Sequence, residues 1–492
     1  MRKDLRGKLM VLWLLAAILL VAAGLRLYNL SEESLWLDEC FTLDYASKSF
    51  TSLIETLKND VHPVGYYLPQ HVLIGQLGTS EFILRILSVF FGVLAGFLTY
   101  LLARKLFSWK EGLLAAFFMS ISYTSILYSQ DAKMYSMFAA FFLLSLLAFI
   151  RFLERPSLPN TLFFSVSVAL LLYTHIIGLV ISAVYVAIYL LMFTLEKKRF
   201  ACTSSYFFEK YKTSSRFFLA LFIVFLLYLP WLEILLSYQL PLLYNFLGIK
   251  LIEKVGLNLL PLVSVALILV TLSCFLLSYL SLNDKINLDK WFYFVKRSSS
   301  LVFTELSFSI LILLFIIFDF LLSRYFFSSV SLIRFSFFIL PLFYVLLSRK
   351  LLKMKNHHWA IFLFTLLIMS ASFELYTYYD VDSKEQFREA ADYIETSASP
   401  ADVLFLHRAT IAKLCFDYYY SGNAEEVRLI KTGEDDHLLT ERVSGKRDAY
   451  LILSHNFHTL DYFKSHLDSL YEFKEEKKFI GVTIYKYEVS KS

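Results

Sequence analysis

The chain has 492 residues, of which 58% are hydrophobic and 18% are charged, with a formal net charge of +5 and a mean hydropathy of +0.59. A soluble domain carries about a quarter charged residues, so this composition excludes an ordinary soluble protein. Phe (49) and Tyr (32) are abundant while Gly (15) and Pro (9) are scarce, which excludes a disordered or fibrous chain. The composition therefore predicts a helical integral membrane protein.

Apolar runs long enough for membrane helices recur along most of the chain. A helix needs roughly 20 mostly apolar residues to cross a bilayer. Eleven candidate spans lie near residues 9–28, 84–103, 111–128, 134–150, 161–174, 177–195, 216–236, 257–281, 300–322, 333–348 and 358–375. The first follows a basic start, MRKDLRGK, and lacks a small-residue cleavage site, so we expect an anchor and not a removed signal peptide. The predicted fold is mainly α, a polytopic bundle of about 11 transmembrane spans within residues 1–375.

Positive charge between the spans is strongly asymmetric. If the N-terminus is cytoplasmic, the inner segments hold 23 Lys and Arg residues and the outer segments 7. Lys and Arg favour the cytoplasmic side of a membrane. We therefore predict a multi-pass protein of the cell (inner or plasma) membrane with its N-terminus inside. An odd number of spans then places the C-terminal region outside.

The character of the chain changes near residue 376. Apolar runs shrink to strand length, as in DVLFLH, VRLI, YLILSH and FIGVTIYKYEV, and amphipathic helical stretches alternate with them. This pattern predicts a small extracytoplasmic α/β domain over residues 376–492. The four Cys residues (40, 202, 274 and 415) have neither metal-ligand spacing nor a disulfide pattern, so we expect isolated small apolar residues.

Ionisable and aromatic residues collect on the predicted outer side. They comprise Asp38, Glu39, His62, Tyr66, Tyr67, Arg85, Asp131, Lys133, Tyr135, His175 and Arg334. Ionisable groups at span ends are candidates for function because their burial is costly. Each also has a simpler explanation: solvated loop acids, basic side chains reaching toward headgroups, or a hydrogen-bonded interhelical His. Their recurrence on one side, from spans far apart in sequence, favours function.

Acidic side chains beside basic ones, at the depth of the lipid headgroups, suit an enzyme that transfers a group from a lipid-linked phosphate ester. Cations and hydrogen-bond donors would hold the phosphate, and a carboxylate would take the proton of an acceptor hydroxyl. The sequence contains no P-loop, dinucleotide fingerprint, nucleophile elbow or HExxH motif, so nucleotide and zinc-protease chemistry are not indicated.

Four stretches appear in the order and spacing of a known family: SLWLDECFT, the run beginning HPVGYYLPQ, YSQDAKMYS and LLYTHIIGL. They resemble the glycosyltransferase family 39 type of C-type membrane glycosyltransferase, which includes protein mannosyltransferases and lipid A aminoarabinose transferases. The resemblance covers residues 9–195 and extends more loosely to IRFSFFILPLFYVLLSRK and to the C-terminal region. It implies the C-type glycosyltransferase fold.

The resemblance also implies roles for single residues. Asp38 would be the general base or a carboxylate that orients the acceptor, with Glu39 and Asp131 as further catalytic acids. Donor phosphate or substrate binding would fall to His62, Tyr67, Arg85, Lys133, Tyr135, His175 and Arg334 (or Arg324 in place of Arg334). Two positions depart from the family pattern: Val64 replaces a second Pro, and Lys133 replaces an Arg, which keeps the charge but loses the bidentate fork.

The implied activity is inverting transfer of a mannose-like hexose or related sugar from a polyprenyl-phosphate donor to an acceptor hydroxyl on the outer face. The partners would be that donor, a lipid, glycan or protein acceptor, and the bilayer, with no nucleic acid. No cofactor is expected, although Asp38, Glu39 and Asp131 leave a divalent cation possible. The alternatives are a transporter or lipid-linked glycan flippase, which predicts broken helices in repeated halves, and a non-catalytic assembly protein.

Overall fold

The computed structural model describes residues 2–197, 204–243, 337–407, 409–429, 433–454 and 460–489. The described residues form two compact units. The first contains residues 1–27, 48–72 and 86–373, and the second contains residues 28–47, 73–85 and 374–492. The second unit thus combines two short segments from early in the chain with the whole C-terminal region.

The first eleven elements of the described chain are all helices. They are α1 (Arg2–Leu27), α2 (Leu37–Ser47), α3 (Phe50–Lys58), α4 (Tyr67–Leu77), α5 (Glu81–Leu106), α6 (Trp109–Ile121), α7 (Tyr123–Leu127), α8 (Tyr135–Glu154), α9 (Leu158–Thr174), α10 (Ile177–Lys197) and α11 (Ser204–Ile234). A π-helical turn, Leu235–Gln239, follows α11 directly. It begins five residues after Pro230, which lies inside α11. A 3₁₀ turn, Phe337–Ile339, then leads into α12 (Leu340–Lys353), and α13 (His357–Asp380) follows.

Side-chain caps fix several of these helix starts. Ser49, Ser108 and Ser122 each accept a hydrogen bond from a backbone N–H in the first turn of the helix that follows. Such a cap supplies a partner to one of the donors that a helix start leaves unpaired. A short polar segment can therefore end one helix and begin the next.

Five helices among the described residues are long and apolar enough to cross a membrane. They cover Leu5–Leu27, Glu81–Leu106, Tyr135–Glu154, Thr213–Leu243 and His357–Asp380, and Leu158–Thr174 and Ile177–Leu190 are shorter apolar helices. α13 buries none of its residues, as expected for a helix that faces lipid. The mainly helical membrane fold is confirmed. The count of eleven spans stays a prediction, because the runs near 257–281 and 300–322 lie outside the described residues.

Helices of the first unit pack pairwise, α1 and α12 against α6, and α8, α10 and α11 against α9. One buried ion pair joins α6 to α12, with Arg349 Nη1 2.6 Å from Glu111 Oε1. Glu111 also accepts a hydrogen bond from Ser108, the cap of its own helix. The carboxylate is thereby bound from both sides.

The C-terminal region is a mixed α/β layer within the second unit. Its elements are α14 (Phe387–Ser397), β1 (Val403–His407), α15 (Ala409–Tyr419), β2 (Glu425–Leu429), α16 (Leu438–Glu441), β3 (Asp448–Ser454), α17 (Leu460–Leu470), β4 (Glu472–Phe479) and β5 (Val482–Glu488). The strand order is β2-β1-β3-β5-β4. β1 is parallel to β2 and β3, whereas β5 is antiparallel to β3 and β4. The predicted strand and helix mixture is confirmed.

The sheet has one strand that the sequence pattern did not predict. β4 reads EFKEEKKF, and all but its last residue are exposed. Charged residues on an edge strand discourage pairing with other chains, and they also hide the strand from a hydrophobic pattern. Gly481, at φ +73°, then lets the chain turn from β4 into β5.

Candidate active site

Asp38 and Glu39 lie in the first turn of α2, in the second unit. Carboxylates are favoured there because the N-terminal end of a helix carries partial positive charge. The two side chains differ sharply in exposure: Glu39 is 0% exposed, whereas Asp38 is partly exposed. Only one acid of the pair therefore remains reachable from solvent.

Glu39 is bound by the guanidinium of Arg85. Nε of Arg85 donates to Oε1 of Glu39 at 2.9 Å, and Nη2 donates to Oε2 at 2.7 Å. Arg85 also donates to the backbone carbonyls of Leu30 (2.8 Å), Glu33 (2.9 Å) and Ser34 (3.0 Å). This bidentate pair ties the start of α5 to the segment that leads into α2. The predicted phosphate role of Arg85 stays a prediction, and these contacts favour a structural one.

Two residues of the C-terminal region, Lys384 and Glu385, complete this cluster. Lys384 Nζ lies 3.3 Å from Glu39 Oε1. Glu385 Oε2 accepts a hydrogen bond from the backbone N–H of Leu37 at 2.9 Å. Burial and the nearby charge of Asp38 raise the pKa of Glu385 to about 7, against the lowering effect of the Leu37 hydrogen bond. Neither residue was predicted, because both lie in DVDSKE, a segment with the sequence character of a linker.

Cys40, two residues after Asp38, forms a disulfide with Cys415 of α15, and their Cα atoms are 5.4 Å apart. The expectation of isolated cysteines is therefore wrong for this pair. The two positions are 375 residues apart, so no local spacing could signal the bond. Cys202 and Cys274 lie outside the described residues.

The first unit holds a separate polar cluster around His62. Asp60 Oδ1 accepts hydrogen bonds from the backbone N–H of His62 at 3.0 Å and from its Nδ1 at 2.6 Å. Burial alone would raise the pKa of Asp60, but the His62 hydrogen bond and the charges of His62 and Lys133 hold it well below its usual range. A carboxylate that binds Nδ1 fixes the orientation of the ring and leaves Nε2 for another partner. Asp60 was not among the predicted residues, although its position two residues before His62 was a usable signal.

His175 lies beside His62 in this unit, with ring centroids 6.0 Å apart. Burial and the charge of His62 lower the pKa of His175, so its imidazole is neutral at physiological pH. Its Nδ1 accepts a hydrogen bond from Ile177 N at 3.1 Å, which places the ring proton on Nε2. Near the end of α9, the Gly65 N–H donates to Tyr173 O at 2.8 Å. The loop after His62 is thus attached to the end of α9.

Lys133, Tyr67, Asp131 and Tyr135 are all buried in the first unit. Lys133 Nζ lies 6.0 Å from the centre of the Tyr67 ring, within cation–π range. The Lys133 backbone carbonyl accepts a hydrogen bond from Ser88 Oγ at 3.0 Å, and the hydroxyl of Tyr66 lies 2.8 Å from the same Oγ. A buried lysine beside an aromatic ring offers a positive charge to an anion.

The loop that carries Asp131 and Lys133 is organised by Arg26, a fully buried residue that was not predicted as part of the site. Its guanidinium donates to the carbonyls of Met119 and Ser120, at the end of α6, both at 3.1 Å. It also donates to the hydroxyls of Ser125 (2.6 Å) and Ser129 (3.1 Å). The Arg26 carbonyl in turn accepts a hydrogen bond from Gln130 Nε2 at 3.0 Å. Arg26 lies in the last turn of α1, a position where a basic residue commonly reaches toward lipid headgroups.

The predicted site residues thus fall into two groups. Asp38, Glu39 and Arg85 belong to the second unit; His62, Tyr67, Asp131, Lys133, Tyr135 and His175 belong to the first. Arg334, with its alternative Arg324, lies outside the described residues. Within the described part of the chain, no group of three His, Cys, Asp or Glu side chains is placed to hold a metal ion.

Comparison with known families gives a match over part of the chain. Residues 61–232 match the family described as dolichyl-phosphate-mannose-protein mannosyltransferase. This segment contains His62, Arg85, Asp131, Lys133 and His175. A comparison with curated proteins finds no match.

Solved structures with a similar fold include ArnT from Cupriavidus metallidurans in two states. The apo structure has a TM-score of 0.58 at 11% identity, covering 98% of this chain and 98% of that one. The structure bound to undecaprenyl phosphate has a TM-score of 0.51 at 11% identity, covering 96% and 97%. The described chain therefore has an ArnT-like fold. The family match over residues 61–232 confirms, for that part of the chain, the resemblance found in the sequence, and the likeness to ArnT shows the fold.

Proposed function

We propose that this protein transfers a sugar from a polyprenyl-phosphate donor to an acceptor hydroxyl on the outer face of the membrane, with inversion, and that Asp38 is the general base. One observation carries the assignment of the base. Of the two adjacent acids, Glu39 is fully buried and bound by Arg85 and Lys384, whereas Asp38 is partly exposed. A carboxylate must be reachable by an acceptor before it can take a proton from it.

The chemical step follows from these assignments. The acceptor oxygen attacks the anomeric carbon as its proton passes to a carboxylate oxygen of Asp38. The bond between the anomeric carbon and the phosphate oxygen breaks, and polyprenyl phosphate leaves with the electron pair. Asp38 then releases the proton to water. Glu39 does not contact the substrate in this scheme; it fixes the helix on which Asp38 lies.

The His62 cluster supports a role in binding the donor phosphate. Asp60 orients His62 through Nδ1, so Nε2 can donate to a phosphate oxygen. Lys133 adds a compact positive charge, and Tyr67 lies beside it. Together they offer the charge and hydrogen-bond donors that a phosphate needs. Neutral His175 packs beside His62 and supports its ring. A polyprenyl phosphate as the lipid is further supported by the ArnT structure bound to undecaprenyl phosphate.

The disulfide supports an extracytoplasmic location for the second unit. Disulfides persist in oxidising compartments and are rare where thiols are kept reduced. Cys40 and Cys415 join two parts of this unit that are far apart in sequence. This agrees with the orientation predicted from positive charge, in which the segment that follows α1 lies outside.

A deletion strain tests the proposed function. We expect one glycan, glycolipid or glycoprotein to disappear from cells that lack the protein, and the wild-type chain to restore it. The Asp38→Asn variant should reach the membrane at the wild-type level and should not restore the glycan. Full restoration by this variant would reject Asp38 as the base and would favour a transporter or assembly role.

A further inference from the structure

We infer that the C-terminal part of the second unit positions Asp38, through a disulfide from Cys415, an ion pair from Lys384 and a hydrogen bond from Glu385. This inference rests on the proposed role of Asp38 as the base. These three are positioning residues, because they act through the backbone that carries the carboxylate and not on the substrate.

The helix that carries Asp38 needs such support. α2 has only 11 residues, and isolated helices shorter than about 12–15 residues are marginal in water. Asp38 lies in its first turn, where the backbone N–H groups have no partner within the helix. The position of the carboxylate therefore depends on contacts from outside α2.

On the N-terminal side of Asp38, the C-terminal region binds three of the four preceding residues. Glu385 Oε2 accepts from Leu37 N at 2.9 Å, and the Glu385 carbonyl accepts a hydrogen bond from Ser34 Oγ. The Tyr419 hydroxyl accepts a hydrogen bond from Leu35 N at 2.8 Å. The segment that enters α2 is thus held at three residues, two through backbone N–H groups and one through a side-chain hydroxyl, by residues more than 340 positions further along the chain.

On the C-terminal side of Asp38, the next two residues are also held. Glu39 is bound by Lys384 as well as by Arg85. Cys40 is joined covalently to Cys415 on α15, and both sulfur-bearing residues are buried. The residues immediately before and after Asp38 are therefore attached to the C-terminal region, while the Asp38 side chain remains partly exposed.

Precise placement of a base matters for rate more than for binding. A displacement of about 1 Å in a catalytic group can lower a rate on the order of 100-fold. Donor binding does not require the carboxylate of Asp38 in the proposed scheme. Loss of the attachments should therefore lower kcat and leave the KM for the donor nearly unchanged.

The test uses two variants of the full-length protein in proteoliposomes. Cys40→Ser/Cys415→Ser removes the covalent bond, and Lys384→Met removes the ion pair. Lys478→Met is the matched control, since Lys478 lies in the same region but makes an exposed ion pair with Glu476. Release of polyprenyl phosphate gives kcat and donor KM, and amide hydrogen exchange over residues 34–43 reports the order of the segment.

We expect both variants to show about 10- to 100-fold lower kcat, nearly unchanged donor KM and faster amide exchange over residues 34–43. The control should match the wild type in all three. If the double variant does not fold, Lys384→Met decides alone. Unchanged kcat and unchanged exchange in a folded variant would overturn the inference, and so would a rise in KM with unchanged kcat.

The experiment separates this inference from the proposed function. If the wild-type protein is inactive or Asp38→Asn is fully active, the proposed function fails, whatever the exchange data show. If Asp38→Asn abolishes release but the two attachment variants behave like the wild type, only the positioning role fails.

Discussion

Replacing Arg85 tests whether its guanidinium holds the second unit together. Arg85 is 2% exposed and donates hydrogen bonds of 2.7–3.0 Å, two to Glu39 and three to backbone carbonyls. Removing one partner of a buried ion pair typically costs about 3–5 kcal/mol, because the other charge stays buried without compensation. Lys384, 3.3 Å from Glu39, would compensate part of that charge. We therefore expect Arg85→Met to lose about 3 kcal/mol of unfolding free energy, at the lower end of this range.

Two companion variants separate the contribution of the buried charge from that of the hydrogen bonds to the backbone carbonyls. Arg85→Lys keeps a charge near Glu39, but a compact ammonium cannot replace the fork that also reaches the carbonyls of Leu30, Glu33 and Ser34. It should lose about 1–3 kcal/mol, the cost of leaving buried acceptors without a donor. Arg85→Met/Glu39→Gln also removes the negative charge of Glu39 and should recover part of the loss, reduced by the cost of taking this carboxylate away from Lys384. Arg442→Met is the control, since its exposed pair with Glu425 contributes at most about 1 kcal/mol.

Unfolding free energy would be measured by SDS titration in mixed micelles, with donor KM measured in parallel on folded protein. If Arg85→Met lies within about 1 kcal/mol of the wild type, the reasoning from burial and contacts is wrong. A Lys variant that keeps full stability but shows a much higher donor KM would instead favour the phosphate-binding role predicted from the sequence.

Three further predictions concern single residues of the two clusters. Because the folded-state pKa of Glu385 is raised from 4.5 to about 7, the folded protein binds this proton more tightly, so unfolding free energy should fall as pH rises from 4.5 to 7. Glu385→Gln should flatten that slope, and an identical slope in both proteins would contradict the linkage. Asp60→Ala removes the acceptor that orients His62 and should raise donor KM about tenfold, whereas Glu55→Ala, at an exposed pair in α3, should not; equal KM values would reject the orienting role. Gly65→Ala would place a Cβ 2.4 Å from the Tyr173 carbonyl oxygen and should cost about 1–3 kcal/mol, while Gly75→Ala, with open space around it in α4, should be neutral or stabilising; equal effects on thermal unfolding would refute the close approach.

Much of the fold could be predicted because the bilayer imposes simple rules on the sequence. Runs of about 20 apolar residues led directly to α1, α5, α8 and α13. The alternation of apolar and amphipathic segments after residue 376 was enough to predict β1, β2, β3 and β5. β4 escaped prediction because its exposed, charged residues carry no signal of burial.

The candidate site was only partly predictable. Asp38 and His62 lie in motifs whose order resembles a known family, so the sequence alone marks them as candidates. Lys384, Glu385 and Cys415 carry no local signal, because their importance comes from contacts with residues more than 340 positions earlier. The sequence marked Arg85 as a candidate for phosphate binding, and only its contacts reveal that its guanidinium binds Glu39 and three backbone carbonyls.

Release of free polyprenyl phosphate from the lipid-linked sugars of the native membrane tests the central claim most directly. The readout requires no knowledge of the sugar or the acceptor, because every productive transfer by the proposed route liberates the lipid phosphate. Purified wild-type protein in proteoliposomes, supplied with extracted lipid-linked sugars and acceptors, should release polyprenyl phosphate with repeated turnover. The Asp38→Asn variant, folded and reconstituted to the same level, should lose at least about 100-fold in kcat, as expected when a general base is removed. Release by this variant at the wild-type rate would contradict the account.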